Sequence, residues 1–451
     1  LISTYELCHQ TFGLASPAAW LQEAGAHVSC LDLAVEPQNQ ELINQADMIA
    51  FYLPMHTATR LAIELIPLIK DRNPRAMLIG YGLYAPTNAQ YLRQLGIDTV
   101  IGGEFESTLV ALYRKQASTQ GNALEDLADE PTISLERQQF LIPARQTLPD
   151  LDQYATLELP NGQIRQVGYV EASRGCKHLC RHCPIVPVYN GRFRIVQPEI
   201  VLADIRQQVA AGAEHITFGD PDFLNGPGHA IPIVQTLHRE FPELTFDVTI
   251  KVEHLLKHDH LLPVLRESGC LFITSAVEAV SDTILEILDK GHTRANFVQA
   301  ARRLHELDLV LNPTFVAFTP WTSPHDYLDM LAVIEQLGLV EHVSPIQYAI
   351  RLLIPAGSRL LELPEVKNLV GNFDQTALSY PWQHPHTEMD ELYKRVYRLV
   401  QQNLEGSRQS LFARIWHEVL DTAPELDTAP EFPRRWDSPA APVPRLSESW
   451  Y

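Results

Sequence analysis

The chain has 451 residues, of which 45% are hydrophobic, and it carries 55 acidic against 35 basic side chains. That length suffices for two or three domains with real cores. The net charge of −20 argues against a protein whose main task is to grip a nucleic-acid backbone, so no nucleic-acid partner is expected. No apolar run is long enough to cross a bilayer, and no signal segment opens the chain. The composition therefore predicts a cytoplasmic protein with no membrane partner.

The front of the chain alternates short apolar runs with amphipathic stretches. Five runs are predicted strands: Leu1–Tyr5, His27–Leu31, Met48–Leu53, Ala76–Tyr81 and Thr99–Ile101. Strand–helix alternation with short connections is typical of a parallel, doubly wound sheet. The pattern predicts an α/β protein with an N-terminal doubly wound, Rossmann-like domain over 1–117, followed by a linker over 118–166.

A second alternating series follows over 167–361. Its predicted strands are Val167–Glu171, His215–Phe218, Thr245–Ile250, Leu271–Ala276, Asn312–Phe318 and Ser344–Leu353. Six β/α units predict a partial (β/α)6 barrel, in which the loops after the strands build the active site. Residues 362–451 are predicted to form a mostly helical extension. It ends in a Pro-rich tail over 422–451 that is either disordered or laid over the body as a strap.

Three of the six cysteines fall within eight residues: Cys176, Cys180 and Cys183. This is a poor disulfide framework for a chain of this size. Three thiolates on one loop can hold a metal centre and leave one coordination position open. Zinc would need a fourth ligand, which His178 or His182 could supply. An iron–sulfur cluster is the alternative.

The spacing Cys-x-x-x-Cys-x-x-Cys, directly after the first strand of a β/α barrel, resembles the radical S-adenosylmethionine (SAM) superfamily. The resemblance implies that Cys176, Cys180 and Cys183 hold a 4Fe–4S cluster. It implies that SAM binds the open iron through its methionyl amine and carboxylate. It also implies an electron donor such as flavodoxin or ferredoxin.

The resemblance extends to the segment Gly219-Asp220-Pro221-Asp222-Phe223, which follows the second predicted strand of the barrel. The superfamily places a segment that holds the methionyl amine at this position. Gly219, Asp220 and Asp222 are therefore candidate cofactor-binding residues. The alternative for the two aspartates is that they cap a helix, because Asp is a favoured N-cap residue.

Three further positions are candidate SAM contacts. Lys251, after the third predicted strand, is a candidate partner of the methionyl carboxylate, although lysines more often lie at the surface. Glu278, near the end of the fourth strand, resembles the stretch that contacts the nucleoside, although a carboxylate at a helix start is the alternative. His182 stands where the superfamily usually has an aromatic residue near the adenine, and an imidazole can stack there too.

The front domain resembles a cobalamin-binding domain. The segment Ile101-Gly102-Gly103-Glu104-Phe105-Glu106 is similar to a Gly-Glu-x-Glu turn found in such domains. Many cobalamin binders also carry Asp-x-His-x-x-Gly after the first strand. Here the nearest match surrounds His9, and its acid, Glu6, and its glycine, Gly13, each lie one place too far away. Radical SAM enzymes with this domain often lack the motif and still bind cobalamin, so the incomplete motif does not decide. Both a cobalamin site and a retained fold without the cofactor remain open.

A narrower resemblance joins the two ends of the chain, the stretch from Thr4 to Trp20 and the ending from Pro444 to Tyr451. Together they resemble radical SAM proteins named for a Cys-Cys-Ala-Glu-Pro or selenocysteine-type tail. In that group a pair of soft chalcogen ligands follows the Trp-Tyr, which suits a thiophilic element such as trivalent arsenic. The resemblance implies transfer of the 3-amino-3-carboxypropyl group of SAM to arsenite or a related arsenical, as in arsinothricin-type biosynthesis.

Two other functions remain open. One is cobalamin-dependent methyl transfer, with His9 and the Gly103-Glu104 turn near the corrin. The other is a non-catalytic protein with zinc or a structural iron–sulfur cluster at the cysteines. Which C–S bond of SAM lies in line with the iron decides the reaction, and the sequence does not show that geometry.

Overall fold

The computed structural model describes residues 1–118, 132–404, 406–422 and 443–447. The first sheet consists of six parallel strands in the order β2-β1-β3-β4-β5-β6. These strands are β1 (Ile2–Ser3), β2 (Leu31–Asp32), β3 (Met48–Tyr52), β4 (Met77–Tyr81), β5 (Thr99–Gly103) and β6 (Thr132–Ser134). The helices between them are α1 (Phe12–Glu23), α2 (Gln40–Gln45), α3 (His56–Arg72), α4 (Ala89–Gln94) and α5 (Glu106–Ser118).

Apolar cores lie on both faces of this sheet. Helix α3 shows how the sequence produces the arrangement, because its residues Ala58, Ala62, Ile66 and Ile69 recur every three or four positions and are all buried. The α/β architecture with an N-terminal parallel sheet is thus confirmed.

The second half of the described chain forms a curled seven-stranded sheet in the order β14-β13-β12-β11-β8-β7-β15, with a separate ribbon of β9 and β10. The strands are β7 (Thr156–Glu158), β8 (Ile164–Val170), β9 (Ser173–Gly175), β10 (Phe193–Ile195), β11 (His215–Phe218), β12 (Thr245–Thr249), β13 (Cys270–Glu278), β14 (Val310–Phe315) and β15 (Arg445–Leu446). Strands β8 and β11–β14 are parallel, whereas β7 is antiparallel to both β8 and β15.

Helices cover the outer face of this half-barrel and continue into the C-terminal region. They are α6 (Val186–Tyr189), α7 (Pro198–Ala210), α8 (Pro227–Glu240), α9 (Val252–Lys257), α10 (Leu262–Glu267), α11 (Asp282–Leu288), α12 (Arg294–Glu306), α13 (Pro324–Gln336), α14 (Pro364–Leu369), α15 (Thr387–Gln401) and α16 (Arg408–Thr422). The half-barrel core extends to α15 and α16 through residues such as Leu392 and Trp416. None of the helices in the described residues is long and apolar enough to span a bilayer.

The sixth predicted barrel strand, Ser344–Leu353, is wrong. A 3-10 helix occupies Pro345–Ala349, and a single parallel bridge joins Phe318 to Arg351. Pro345 has no N–H for a sheet ladder and is suited to the first turn of a helix. The side chain of Gln347 also accepts the Phe315 N–H of β14 at 2.9 Å, which occupies that edge of the sheet.

The segment that follows β12 does not form one long helix. It is divided into α9, a 3-10 turn over Asp259–Leu261, and α10. Pro263 lies in the first turn of α10, and a proline inside one continuous helix would lose a hydrogen bond and clash with the preceding turn.

The segment predicted as a linker contributes to both sheets. Its described residues carry β6 of the first sheet and β7 with the start of β8 of the second. Of the Pro-rich tail, 443–447 contains β15, which pairs with β7 as a strap would. Residues 119–131 of the predicted linker, and 423–442 and 448–451 of the tail, lie outside the described residues.

Candidate active site

The three clustered cysteines lie at the carboxyl edge of the half-barrel sheet, on the loop that follows β9. Gly175 ends β9 with φ +76°, and a Cβ there would lie 2.4 Å from the ring of Tyr189, so only glycine fits this turn. Cys176 and Cys180 are buried, Cys183 is half-buried, and none of them forms a disulfide. Burial, with the neighbouring thiols adding to it, raises the pKa of Cys183 to about 12.

The donor set at this loop fits an iron–sulfur cluster better than zinc. Ligand atoms of Cys176, His178 and Asp222 lie within 4.8 Å of one another, but that group includes only one of the three cysteines. The other zinc candidate, His182, has its Nε2 3.1 Å from Glu278 Oε1. Three thiols on one shielded loop, with both histidines beside carboxylates, match a cluster with one open iron.

Lys251 lies beside the cysteine loop. Its Nζ is 3.6 Å from Cys180 Sγ and 3.8 Å from Glu253 Oε2. The residue immediately precedes α9 and is only 7% exposed. The surface-lysine alternative is therefore excluded, and a buried ammonium stands next to one of the predicted cluster ligands.

Glu278 ends β13 at the same edge of the sheet. Its φ of +66° is unusual for a residue with a side chain, and it coincides with a shift in register between β13 and β14. Glu278 Oε1 lies 3.1 Å from His182 Nε2 and 3.2 Å from Lys290 Nζ. Burial opposes ionisation, but the charge of Lys290 and the bond from His182 outweigh it and hold the pKa of Glu278 below its usual value.

Asp220 and Gly219 lie against the segment that leads into the cysteine loop. The carboxylate of Asp220 accepts hydrogen bonds from Ala172 N at 2.9 Å and from Ser173 Oγ at 2.5 Å. Burial raises the pKa of Asp220 to about 7, while these hydrogen bonds act in the opposite direction. A Cβ at Gly219 would lie 1.9 Å from the hydroxyl of Tyr169, which explains the glycine.

Asp222 faces two histidines. Its Oδ2 lies 2.6 Å from His254 Nδ1 and 3.5 Å from His178 Nε2. Burial would raise the pKa of Asp222, but the two imidazoles outweigh it and lower that pKa. The helix-cap alternative fails for this residue, because it precedes a 3-10 turn over Phe223–Asn225 without making a capping hydrogen bond.

The sequence analysis missed two buried residues of this site, Lys290 and His292. Lys290 is 3% exposed, and the carboxylate of Glu278 raises its pKa against the effect of burial. His292 is 6% exposed, and its pKa is lowered to about 4 by burial and by the charges of Lys290 and Lys251. The only available signal was a polar Lys-Gly-His run after the fourth barrel strand, and many surface loops have that composition.

The front domain is joined to the cysteine loop by a buried ion-pair cluster. Arg174, in β9, places Nη2 2.7 Å from Glu106 Oε1 and Nε 2.6 Å from Glu171 Oε2. Its guanidinium carbon lies 4.5 Å from the centre of the Phe105 ring. Burial raises the pKa of Glu104 to about 7, although Arg174 acts against it. The predicted cobalamin-like turn therefore binds the strand that precedes Cys176.

The glycines of the cobalamin-like segments face the chain's own atoms. A Cβ at Gly13 would lie 2.1 Å from the Tyr52 ring, and one at Gly102 would lie 2.2 Å from a proline ring. At Gly103 it would meet a backbone carbonyl at 2.1 Å. The imidazole of His9, 2% exposed, stacks on Tyr169 with ring centres 5.1 Å apart. These contacts explain why the three positions are glycine. The match of a B12-binding domain to this part of the chain supports cobalamin as a cofactor, and no step of the reaction is derived through it.

Family comparisons define the class of protein. The "Radical SAM superfamily" model matches residues 170–329, and the "B12 binding domain" model matches residues 1–113. The chain thus carries a radical SAM domain with a B12-binding domain in front of it. The suspected superfamily, domain layout and fold are confirmed, and a radical SAM domain implies a 4Fe–4S cluster and SAM.

Among solved structures, the cobalamin-dependent SAM radical enzyme OxsB, with aqua-cobalamin and SAM bound, shares the fold. Its TM-score is 0.70 at 14% identity, covering 92% of this chain and 69% of that one. The radical SAM methyltransferase TsrM from Kitasatospora setae, with cobalamin and a [4Fe–4S] cluster bound, has a TM-score of 0.59 at 15% identity. That match covers 73% of this chain and 70% of TsrM.

Curated relatives match over shorter stretches. The ribosomal protein uS12 methylthiotransferase RimO of Geobacter sulfurreducens is 25% identical over 187 residues, which are 39% of this chain and 41% of RimO. The tRNA-2-methylthio-N(6)-dimethylallyladenosine synthase of Hahella chejuensis is 23% identical over 238 residues, or 47% and 49% of the two chains. The chain thus spans about half the length of these relatives or less.

Proposed function

We propose that this protein is a radical SAM transferase that moves the 3-amino-3-carboxypropyl group of SAM to trivalent arsenic, supplied as arsenite or a related arsenical. The observation that carries the radical SAM part is the three-thiol loop at the carboxyl edge of the half-barrel, with buried Lys251 and Lys290 beside it. In the front domain, the Tyr52 ring, a proline ring and a backbone carbonyl lie against Gly13, Gly102 and Gly103, and the proposal takes this packing as support for transfer without a corrin.

In this proposal Cys176, Cys180 and Cys183 hold the 4Fe–4S cluster, which when bound supplies the electron that cleaves a C–S bond of SAM. Lys251, buried beside Cys180, pairs with the methionyl carboxylate. Asp222, kept ionised by its two histidines, pairs with the methionyl amine.

The remaining predicted residues orient the other parts of SAM and its loop. Gly219 and Asp220 hold the backbone that carries the amine site and the start of β9. Glu278 and His182 lie together where the nucleoside is expected.

The overall reaction balances with two electrons from a flavodoxin- or ferredoxin-type donor. SAM, arsenous acid, two electrons and one proton give methylthioadenosine, a carbon–arsenic product and water. One C–S bond breaks, one C–As bond forms, and one As–O bond breaks as hydroxide leaves and takes up the proton. The choice of arsenic rests on the resemblance of the two chain ends and on the preference of soft thiolate ligands for soft elements.

A cobalamin-dependent methyltransferase is the second candidate. The match of residues 1–113 to the B12-binding domain supports it, as does the shared fold with TsrM, which is itself a methyltransferase.

A product assay separates the two. The protein is reconstituted anaerobically with iron and sulfide, reduced, and given SAM with and without arsenite. We expect methylthioadenosine and a carbon–arsenic product by mass spectrometry, both absent with Cys180→Ala. Deoxyadenosine with S-adenosylhomocysteine, formed only when cobalamin is added, would establish the methyltransferase instead. A colourless protein that binds zinc and forms neither nucleoside would exclude both.

A further inference from the structure

Two buried ammonium groups lie near the cysteine loop. Lys251 Nζ lies 3.6 Å from Cys180 Sγ, and its charge also acts on Cys176. Lys290 acts electrostatically on Cys180 and Cys183. One ammonium thus lies against Cys180, and the other is joined through Glu278 to His182, the residue before Cys183.

The position of Lys290 is set by the local backbone and by one carboxylate. Helix α11 ends at Asp289 in the left-handed conformation, with φ +55°, which turns the chain so that Lys290 enters the interior. Its Nζ lies 3.2 Å from Glu278 Oε1, the oxygen that also lies 3.1 Å from His182 Nε2. Because only 3% of Lys290 is exposed, solvent does not screen its charge from the loop.

We infer that Lys290 is a positioning residue that raises the reduction potential of the cluster held by Cys176, Cys180 and Cys183, while Glu278 opposes it. The inference rests on the proposed function. An electron added beside a buried positive charge is stabilised by Coulomb attraction, which is stronger in a protein interior than in water. Net charge near the cluster is one of the factors that set iron–sulfur potentials.

The test is the midpoint potential of the reconstituted protein without SAM, measured by redox titration followed by electron paramagnetic resonance. We expect Lys290→Met to lower the midpoint and Lys290→Arg to leave it near the wild-type value. Glu278→Gln, which removes the opposing charge, should leave the midpoint at or above the wild-type value. Lys257→Met is the control, because this lysine ends the neighbouring helix α9 and is exposed.

An unchanged or raised midpoint potential in Lys290→Met would overturn the inference. Equal downward shifts in Lys290→Met and Glu278→Gln would also overturn it, because they would indicate a structural disturbance and not an effect of charge. Lys290→Gln repeats the loss of charge with a polar side chain if the methionine variant takes up no iron. A wild-type protein that shows no 4Fe–4S signal would instead contradict the proposed function. A wild-type signal with unmoved midpoints contradicts this inference alone.

Discussion

The ion pair between Arg174 and Glu106 joins the two halves of the molecule, and its loss should be costly. Glu106 is fully buried and Arg174 is 7% exposed, with nitrogen–oxygen distances of 2.7 and 3.0 Å. Removing one partner of a buried pair leaves an uncompensated charge and costs about 3–5 kcal/mol. Because Glu171 still accepts from Arg174 Nε at 2.6 Å, we expect Glu106→Gln to cost about 3 kcal/mol, the lower end of that range.

An exposed pair provides the matched control. Arg206 and Glu240 also form a two-bond pair, at 2.7 and 2.8 Å, but their side chains are 48% and 33% exposed. Pairs of this kind contribute about 0–1 kcal/mol, so Glu240→Gln should change little.

The assay is urea denaturation of the metal-free protein, followed by tryptophan fluorescence and by circular dichroism. The earliest transition should move to lower urea in Glu106→Gln and stay near the wild-type position in Glu240→Gln. Two-state analysis is applied only where the two probes coincide, because a protein with two domains need not unfold in one step. Similar losses of stability in the two variants would refute the assignment of a buried, stabilising interdomain pair.

Three further outcomes follow from the same geometry. Cys180→Ala should lose bound iron and the brown absorbance near roughly 400 nm, whereas Cys270→Ala, at a buried cysteine in β13, should keep both in an iron assay. Gly13→Ala should destabilise the apo-protein by about 1–3 kcal/mol, because the new methyl would lie 2.1 Å from a tyrosine ring. Gly228→Ala is the control, because no atom lies within 4 Å of its new methyl, and it should not destabilise the protein. Equal losses of stability in the two variants, measured by thermal denaturation, would contradict the packing around Gly13. Burial raises the pKa of Glu104 to about 7, so the folded state binds this proton more tightly than the unfolded state, whose carboxyl titrates near roughly 4.3. The stabilising contribution of Glu104 is therefore present below the unfolded-state pKa and is lost as the pH rises to about 7. In Glu104→Gln the free energy of unfolding should fall less over this pH range. Urea denaturation at several pH values measures the difference.

The strands were predictable where burial is continuous and local. Met48–Tyr52, Met77–Tyr81 and His215–Phe218 lie within or match the predicted runs, because each is an apolar run bounded by polar or turn residues. The failure over Ser344–Leu353 has the opposite cause. Its apolar run resembles a strand, but Gln347 satisfies the N–H of Phe315 from another element, and no local pattern encodes that contact.

The site residues were likewise predictable only where they stand close together in the sequence. Cys176, Cys180 and Cys183 stand close in sequence, so their spacing alone identified them. Lys290 and Glu278 meet only because a left-handed turn after α11 brings the chain back to the end of β13. Arg174 in β9 and Glu106 at the start of α5 are 68 residues apart. The sequence analysis assigned that acidic turn to a cobalamin-like motif.

The pairing of β15, the last described strand, fixes the direction in which it runs along the sheet. Strand β15 is antiparallel to β7, which is antiparallel to β8, so β15 runs the same way as β8. Leu446 pairs with Leu157, which pairs with Arg165, five residues before β8 ends at Val170. At about 3.3 Å per residue, the distance along the strand from Arg165 to Val170 is roughly 17 Å. Strand β15 therefore runs toward the same edge of the sheet as β8, the edge beyond which the cysteine loop lies.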